Sequence, residues 1–503
     1  MTTGAVTASS QAAADAGAAA LSAGGNAVDA AVAAALASCV ADPCNTGIGG
    51  YGGYLVVKRP DRAADCVQFP LWAPSTMPPE SLARAYPESG PACSAVPNVV
   101  GGLSRGLKQF GRLSWAQASA PAIALARDGV VANGTTLRAF DLHRHRPFIA
   151  ECFVFDHVGT GGRDLLFRQP RLAATLEKMA EHGPEWFYEG PIGLGAVKAW
   201  RADGIDVLLD DWKNEGGAVD VNEAPSIEAF GLRVHASPLG LSGSACLFAT
   251  ITAAARIGRR HSLSSPDGLA ELAFSMARIW QYRFAMANGN DFSEVDLSAW
   301  IEEALAHGAA GHRPDSQTGH TAHLNAVDRD GMLVAVTLTH GPAWFGGRWA
   351  IPGTGVIMNG GMHNFTRPAI VRLKSRWIGV SNMTPTIAEA ADGDRVAIGC
   401  PGARRIPSNI AMALVRHAFD GMPLREAVAA GRLHAEDRSC VHFEEDRLGP
   451  QVCKALSRIF TEVKREHADN YFGPLTAIRS AARGEVETAL DDRDTPGFSA
   501  YAV

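Results

Sequence analysis

The chain reads as a mixed α/β (α+β) protein. Three features carry that reading. Helical apolar spacing recurs through the first two thirds of the chain, a glycine-dense turn feeds an apolar strand near residue 54, and short β-prone runs alternate with helices from Thr321 onward.

Taken in order, Gln11–Ser22 is a helix with Asp15 as its only charge. Gly24-Gly25-Asn26 stops it and caps the next, Ala27–Ser38, whose small residues permit close packing. Gly47-Ile48-Gly49-Gly50-Tyr51-Gly52-Gly53 then leads into the strand Tyr54–Val57. No Lys-Ser/Thr follows these glycines, so a P-loop is rejected and tight chain passage beside a buried site is expected. The middle, Leu103–Ala306, reads as mostly helical, with helices at Leu103–Phe110, Trp115–Arg127, Arg171–Glu181 and Leu269–Phe284. His307–His320 is Gly-, His- and polar-rich and reads as an exposed connection. Beyond it, Leu324–Val327 and Leu333–Thr339 flank Asp328-Arg329-Asp330-Gly331, a strong hairpin turn. The strand Arg395–Gly399 and helices at Ser408–Phe419, Leu424–Gly431 and Pro450–Lys464 complete the pattern.

Composition bounds the function. The 503 residues suggest about three domains of ordinary size. A net charge of −6 argues against a nucleic-acid partner that tracks phosphates. With 19% charged and 47% hydrophobic residues, the chain is not disordered. The nine cysteines are odd in number, scattered and without a CxxC pair, which argues against a disulfide framework or zinc site and for a reducing compartment. Met1–Gln11 has neither a basic start nor an apolar run, and Ala27–Ala37 is interrupted by Asp29 and too short to span a bilayer. A cytoplasmic protein without a membrane partner is expected.

On spacing alone, Thr321 simply opens a hairpin, as Thr often does. It also has a specific chemical capacity. A chain cut before it would carry a hydroxyl and a free α-amine on one residue, and an amine with a reference pKa near ~7.7–8.0 can take the hydroxyl proton. Before the cut that nitrogen is an amide, so the enzyme would be latent.

The wider motif set resembles the γ-glutamyltransferase family of N-terminal-nucleophile hydrolases over nearly the full length. The matching blocks are Ala23–Ala31, Gly47-Ile48-Gly49-Gly50, Val96-Pro97, Phe110-Gly111-Arg112-Leu113, Ala120-Pro121-Ala122, Ala126-Arg127-Asp128-Gly129, Thr321–Asp328, Pro352-Gly353-Thr354-Gly355, Met383-Thr384-Pro385-Thr386, Pro401-Gly402-Ala403 and Arg405-Ile406. The resemblance implies a four-layer αββα sandwich and self-cleavage between His320 and Thr321. It implies a large subunit of residues 1–320 and a small subunit of 321–503, joined as one compact heterodimer, with a dimer of heterodimers left open. Thr321 would be the nucleophile and Thr339 its hydroxyl partner. Gly402 and Ala403 would supply the oxyanion N–H groups, and Ser381 and Asn382 would lie near the substrate carboxylate. No cofactor is implied. His312, His320 and His323 lack acid or Cys partners at ligand spacing, so metal is rejected.

Two departures concern the substrate. Pro70-Leu71-Trp72-Ala73-Pro74 stands where the family carries an Arg that clamps the glutamyl α-carboxylate, and Asn364 stands where it carries an Asp for the α-ammonium. Neutral Asn cannot give that charge-assisted bond. Arg404 and Arg348 are the candidate replacement anchors for a carboxylate. His340, Trp344 and His363 could narrow the pocket, and ordinary packing would explain each equally well. The expectation is therefore hydrolysis of a small carboxylate-bearing amide, with oxamate as the type substrate. The alternatives are a γ-glutamyl hydrolase/transferase acting on glutathione-like substrates, an acylase or C–C bond-cleaving relative, and an uncleaved structural member.

Overall fold

The computed structural model describes residues 4–502 except 78, 83, 160, 161, 163, 214–218, 239–242, 287, 292–294, 308–319, 366–369, 374–375, 468–470 and 494–497. The connection expected at His307–His320 falls almost wholly outside the described residues.

Side-chain alternation in the Thr321 hairpin sets the layers. Leu324, Ala326, Val334 and Val336 point into one apolar core, which they share with the helices Gln11–Ser22, Ala27–Ala41, Val99–Phe110, Trp115–Asp128 and Pro170–His182. Val327, Leu333 and Ala335 point the other way, onto Ile387, Ala397 and Ile478 of a second sheet. That second sheet buries its far face (Val234, Ala388, Val396, Ile398) under the helices Gly243–Ile257, Pro266–Met286 and Ile406–Ala418. The result is the four-layer αββα sandwich.

Both central sheets are antiparallel. The first runs Phe498–Ala502, Gly4–Ala8, His320–Asp328, Leu333–Gly341, Gly52–Lys58, Asp65–Phe69, Asp220–Glu223. The second runs Val486–Leu490, Thr476–Ser480, Arg395–Gly399, Thr386–Ala390, Leu232–Ala236, Ser226–Ala229. Strands from both sides of the 320/321 bond lie in each sheet, so the two portions share their cores.

Local chemistry ties the hairpin down. All fifteen residues of Ala27–Ala41 are buried, which its small side chains allow. Asn26 and Asp29 form a capping box at its start, and Asp328 of the hairpin turn accepts from Ala27 N at 2.9 Å. The other Asp328 oxygen accepts from Asp330 N and Met332 N, both at 3.0 Å, and holds the turn. The glycine-dense turn serves close chain passage: a Cβ on Gly49 would lie 2.1 Å from the Ile357 carbonyl oxygen.

Most expected helices form within a few residues of their expected ends. Two expectations are corrected. The helix expected over Pro450–Lys464 ends at Leu456, and Glu462–Arg465 is a strand paired with Cys440–Phe443. Ser457, Arg458 and Ile459 turn back onto Cys453, Ala455 and Leu456, which closes the helix. The middle of the chain also contains the strands Ser226–Ala229 and Leu232–Ala236 of the second sheet.

Candidate active site

Thr321 faces the space between the two sheets and sits opposite Thr339 in the ladder, with a register irregularity at His320/Thr321. Both are buried, at 6% and 2% exposure, so their hydroxyls depend on partners within the protein. Thr321 Oγ1 donates to Thr339 Oγ1 at 3.4 Å. Thr339 Oγ1 donates to the His320 carbonyl oxygen and accepts from Gly341 N at 2.9 Å. The Thr339 proton thus polarises the carbonyl of the bond before Thr321, while its oxygen receives the Thr321 proton end. Below this pair the inter-sheet face stays polar: His323 Nδ1 meets Thr337 Oγ1 at 2.8 Å and its Nε2 meets Asn325 Oδ1 at 3.0 Å. Burial pushes the His323 imidazole down to about 4, and burial with the nearby Arg348 and Arg405 charges pushes His320 down to about 4. Both rings are neutral at pH 7.

A cleft of about 360 Å³ opens over Thr321. Thr321, Thr339, Gly341 and Ala403 are among the residues that line it, and Tyr51, Asn364, Ser381 and Asn382 give it a polar wall. Gly402 and Ala403 open the turn before the helix Ile406–Ala418, with φ values of 133° and 52°. The left-handed conformation costs Ala403 about 1–2 kcal/mol over glycine.

Neither of the two candidate anchors, Arg404 and Arg348, is among the cleft-lining residues. Arg404 is 5% exposed and gives its Nε to Glu436 Oε1 at 2.9 Å. Arg348 pairs with Glu88 at 3.4 Å. His340 is packed against Gly47, where a Cβ would lie 2.4 Å from its ring, and burial lowers its pKa to about 3. Of the remaining residues named in the sequence, the cleft gathers Thr321, Thr339, Ala403, Ser381, Asn382 and Asn364. Gly402 precedes Ala403 in the same turn. His320 contributes its carbonyl.

Sequence reading missed Arg283. Its Nη1 donates to Asn382 Oδ1 at 2.6 Å and its Nη2 to the Ser381 carbonyl oxygen at 3.1 Å, directly behind the polar wall. The one available signal was an Arg set among the aromatic residues of Ile279–Phe284. Among the described residues no group of three or more His, Cys, Asp or Glu is placed to hold a metal ion. No described helix is long and apolar enough to cross a membrane.

A threonine at a strand start, between two stacked antiparallel sheets and beside a small cleft, is the arrangement of an N-terminal-nucleophile hydrolase. The family model for gamma-glutamyltranspeptidase matches residues 13–501, so the chain belongs to that family. It is 27% identical to a glutathione hydrolase proenzyme of Arthroderma benhamiae, over 88% of this chain and 82% of the relative. It is likewise 27% identical to glutathione hydrolase 5 proenzyme of Homo sapiens, over 88% and 83%. Among solved structures it resembles a cephalosporin acylase from Bacillus halodurans, with a TM-score of 0.84, 21% identity, and coverage of 99% of this chain and 96% of that one. That last likeness concerns the fold alone.

Proposed function

We propose that this chain is a precursor that cuts itself between His320 and Thr321 and then works as an N-terminal-threonine amidohydrolase. One observation carries the reading: Thr339 links the Thr321 hydroxyl to the His320 carbonyl at the mouth of the cleft. In the precursor, Thr321 Oγ attacks the His320 carbonyl carbon. The C–N bond breaks, the acyl group moves from N to O, and water hydrolyses the ester to leave a His320 carboxylate and a free Thr321 amine. Both subunits, residues 1–320 and 321–503, stay together because each central sheet draws strands from both.

In the mature enzyme the α-amine takes the Oγ proton as Oγ attacks the substrate amide. The Gly402 and Ala403 N–H groups receive the oxyanion, a contribution of about 3 kcal/mol per donor. The leaving amine departs with the proton. Water then attacks the acyl-Thr321 ester, with the same α-amine as base.

The acyl group we propose is of the γ-glutamyl class, as in glutathione. The names of the two glutathione hydrolase relatives support this over the oxamate-like amide that the residues alone put first. The donor-rich polar wall at Tyr51, Ser381, Asn382 and Asn364 suits the carboxylate of such a group. A second reading keeps the carboxylate but drops the α-ammonium, as in a glutaryl or oxamate amide. It rests on Asn364, and on the absence of Asp and Glu from the described residues lining the cleft.

Hydrolysis of γ-glutamyl-p-nitroanilide and glutaryl-p-nitroanilide separates the two readings, because the pair differs only in the ammonium. A kcat/KM at least tenfold higher for the γ-glutamyl compound supports the first. The reverse ratio, with release of ammonia from oxamate, supports the second. Turnover of neither compound nor of oxamate contradicts both.

A further inference from the structure

Arg283 lies near the end of the helix Pro266–Met286 and is 8% exposed. Its guanidinium stacks over the Trp280 ring at 4.5 Å. Among the described residues no carboxylate lies within 4.0 Å of it. Its hydrogen bonds go to Asn382 Oδ1 and the Ser381 carbonyl oxygen. A guanidinium has donors and no acceptor, so the amide atom it faces must be the oxygen. The Asn382 amide therefore cannot flip, and its NH₂ end is left for the cleft that Asn382 lines. Without Arg283 the amide could present either its oxygen or its nitrogen, and half of those states would repel a carboxylate.

We propose that Arg283 is a positioning residue for substrate: it locks Asn382 so that the amide donors face the acyl group's carboxylate, backed by a buried positive charge. This rests on the reading that the acyl half carries a carboxylate. It gives the chain a carboxylate anchor at one remove, where Pro70 has no charge and neither Arg404 nor Arg348 lines the cleft.

The test uses the full processed chain and two anilides, glutaryl-p-nitroanilide and butyryl-p-nitroanilide, which differ in the carboxylate. Arg283→Met raises KM for the glutaryl compound by about ten- to a hundredfold, the range expected for losing a hydrogen bond to a charge, with kcat within about threefold. KM for the butyryl compound stays within about twofold. Asn382→Ala gives the same split, and the double variant is no worse than either single one, because Arg283 acts through Asn382. Arg283→Lys rescues only in part, since an ammonium lacks the planar fork. Should Arg283→Met fail to fold, Asn382→Asp carries the test. It keeps an acceptor for Arg283, removes the donors, and raises glutaryl KM at an unchanged or higher unfolding temperature.

Equal losses on both anilides, or additive effects in the double variant, overturn the assignment and leave Arg283 a structural brace. A wild-type enzyme that does not prefer the glutaryl over the butyryl compound overturns the carboxylate reading, and this assignment with it. A wild type that does prefer it, with both Arg283→Met and Asn382→Asp unchanged, overturns the Arg283 assignment alone.

Discussion

Replacing Thr339 with Val removes one hydroxyl and keeps the side-chain shape. That hydroxyl is fully used: its proton goes to the His320 carbonyl, and its oxygen accepts from Gly341 N at 2.9 Å and Thr321 Oγ1 at 3.4 Å. Two costs follow. The Gly341 N–H loses its acceptor in a buried setting, worth about 1–3 kcal/mol of stability. The His320 carbonyl loses a donor aimed at the charge it develops under attack, which by analogy with an oxyanion donor is worth about 2.7–4 kcal/mol, or about 10²–10³ in rate. Processing of Thr339→Val should therefore slow by that factor, while Thr339→Ser should process within about tenfold of wild type. The assay is a denaturing-gel time course that follows the 503-residue chain into pieces of 320 and 183 residues (503 less 320). Circular dichroism confirms that the variant is folded. A folded Thr339→Val chain that matures at the wild-type rate refutes the role of the Thr339 hydroxyl in activating the scissile bond.

Three further outcomes follow from the same geometry. Ala403→Gly should relieve a left-handed backbone costing about 1–2 kcal/mol, partly offset by glycine's unfolded-state entropy, so the melting temperature should rise slightly with kcat within about threefold. A clear fall in melting temperature contradicts the strain reading. Arg404→Met breaks a buried ion pair with Glu436 and should cost about 3–5 kcal/mol in denaturant unfolding. Its KM for a carboxylate-bearing amide should stay within about twofold, and a tenfold rise would restore Arg404 as an anchor. His323 is neutral when folded, with a pKa of about 4 against an ordinary 6.5. Below pH 6.5 the unfolded chain binds a proton that the folded chain refuses, so stability is complete above that pH and declines toward pH 4, by on the order of 3 kcal/mol for this residue. His323→Asn or His323→Gln should flatten that decline in acid-unfolding curves, and an unchanged slope contradicts it.

The Thr321–Thr339 pairing was legible in the sequence because it is local in the chain. Thr321 and Thr339 face each other across a hairpin whose turn, Asp328-Arg329-Asp330-Gly331, announces itself, and period-two alternation then fixes their common face. The helices were legible through apolar spacing, although Leu232–Ala236 was lost among them: a five-residue strand in a helix-rich stretch leaves little pattern to count. The substrate end was not legible. Arg283 and Asn382 are 99 residues apart and meet only because the helix Pro266–Met286 packs behind the second sheet. Arg404, beside the Gly402-Ala403 turn in sequence, points at Glu436, a partner 32 residues on that spacing cannot reveal. Adjacency in sequence thus showed the Thr321–Thr339 pair and did not show where Arg404 points.

Intact-mass analysis of the processed protein, quenched rapidly after mixing with γ-glutamyl- or glutaryl-p-nitroanilide, tests the central proposal most directly. An acyl-sized mass increment should appear on the fragment 321–503 alone, located at Thr321 by peptide mapping, with neither cleavage nor increment in Thr321→Ala. An increment on residues 1–320, or a Thr321→Ala chain that still splits or acylates, would contradict it.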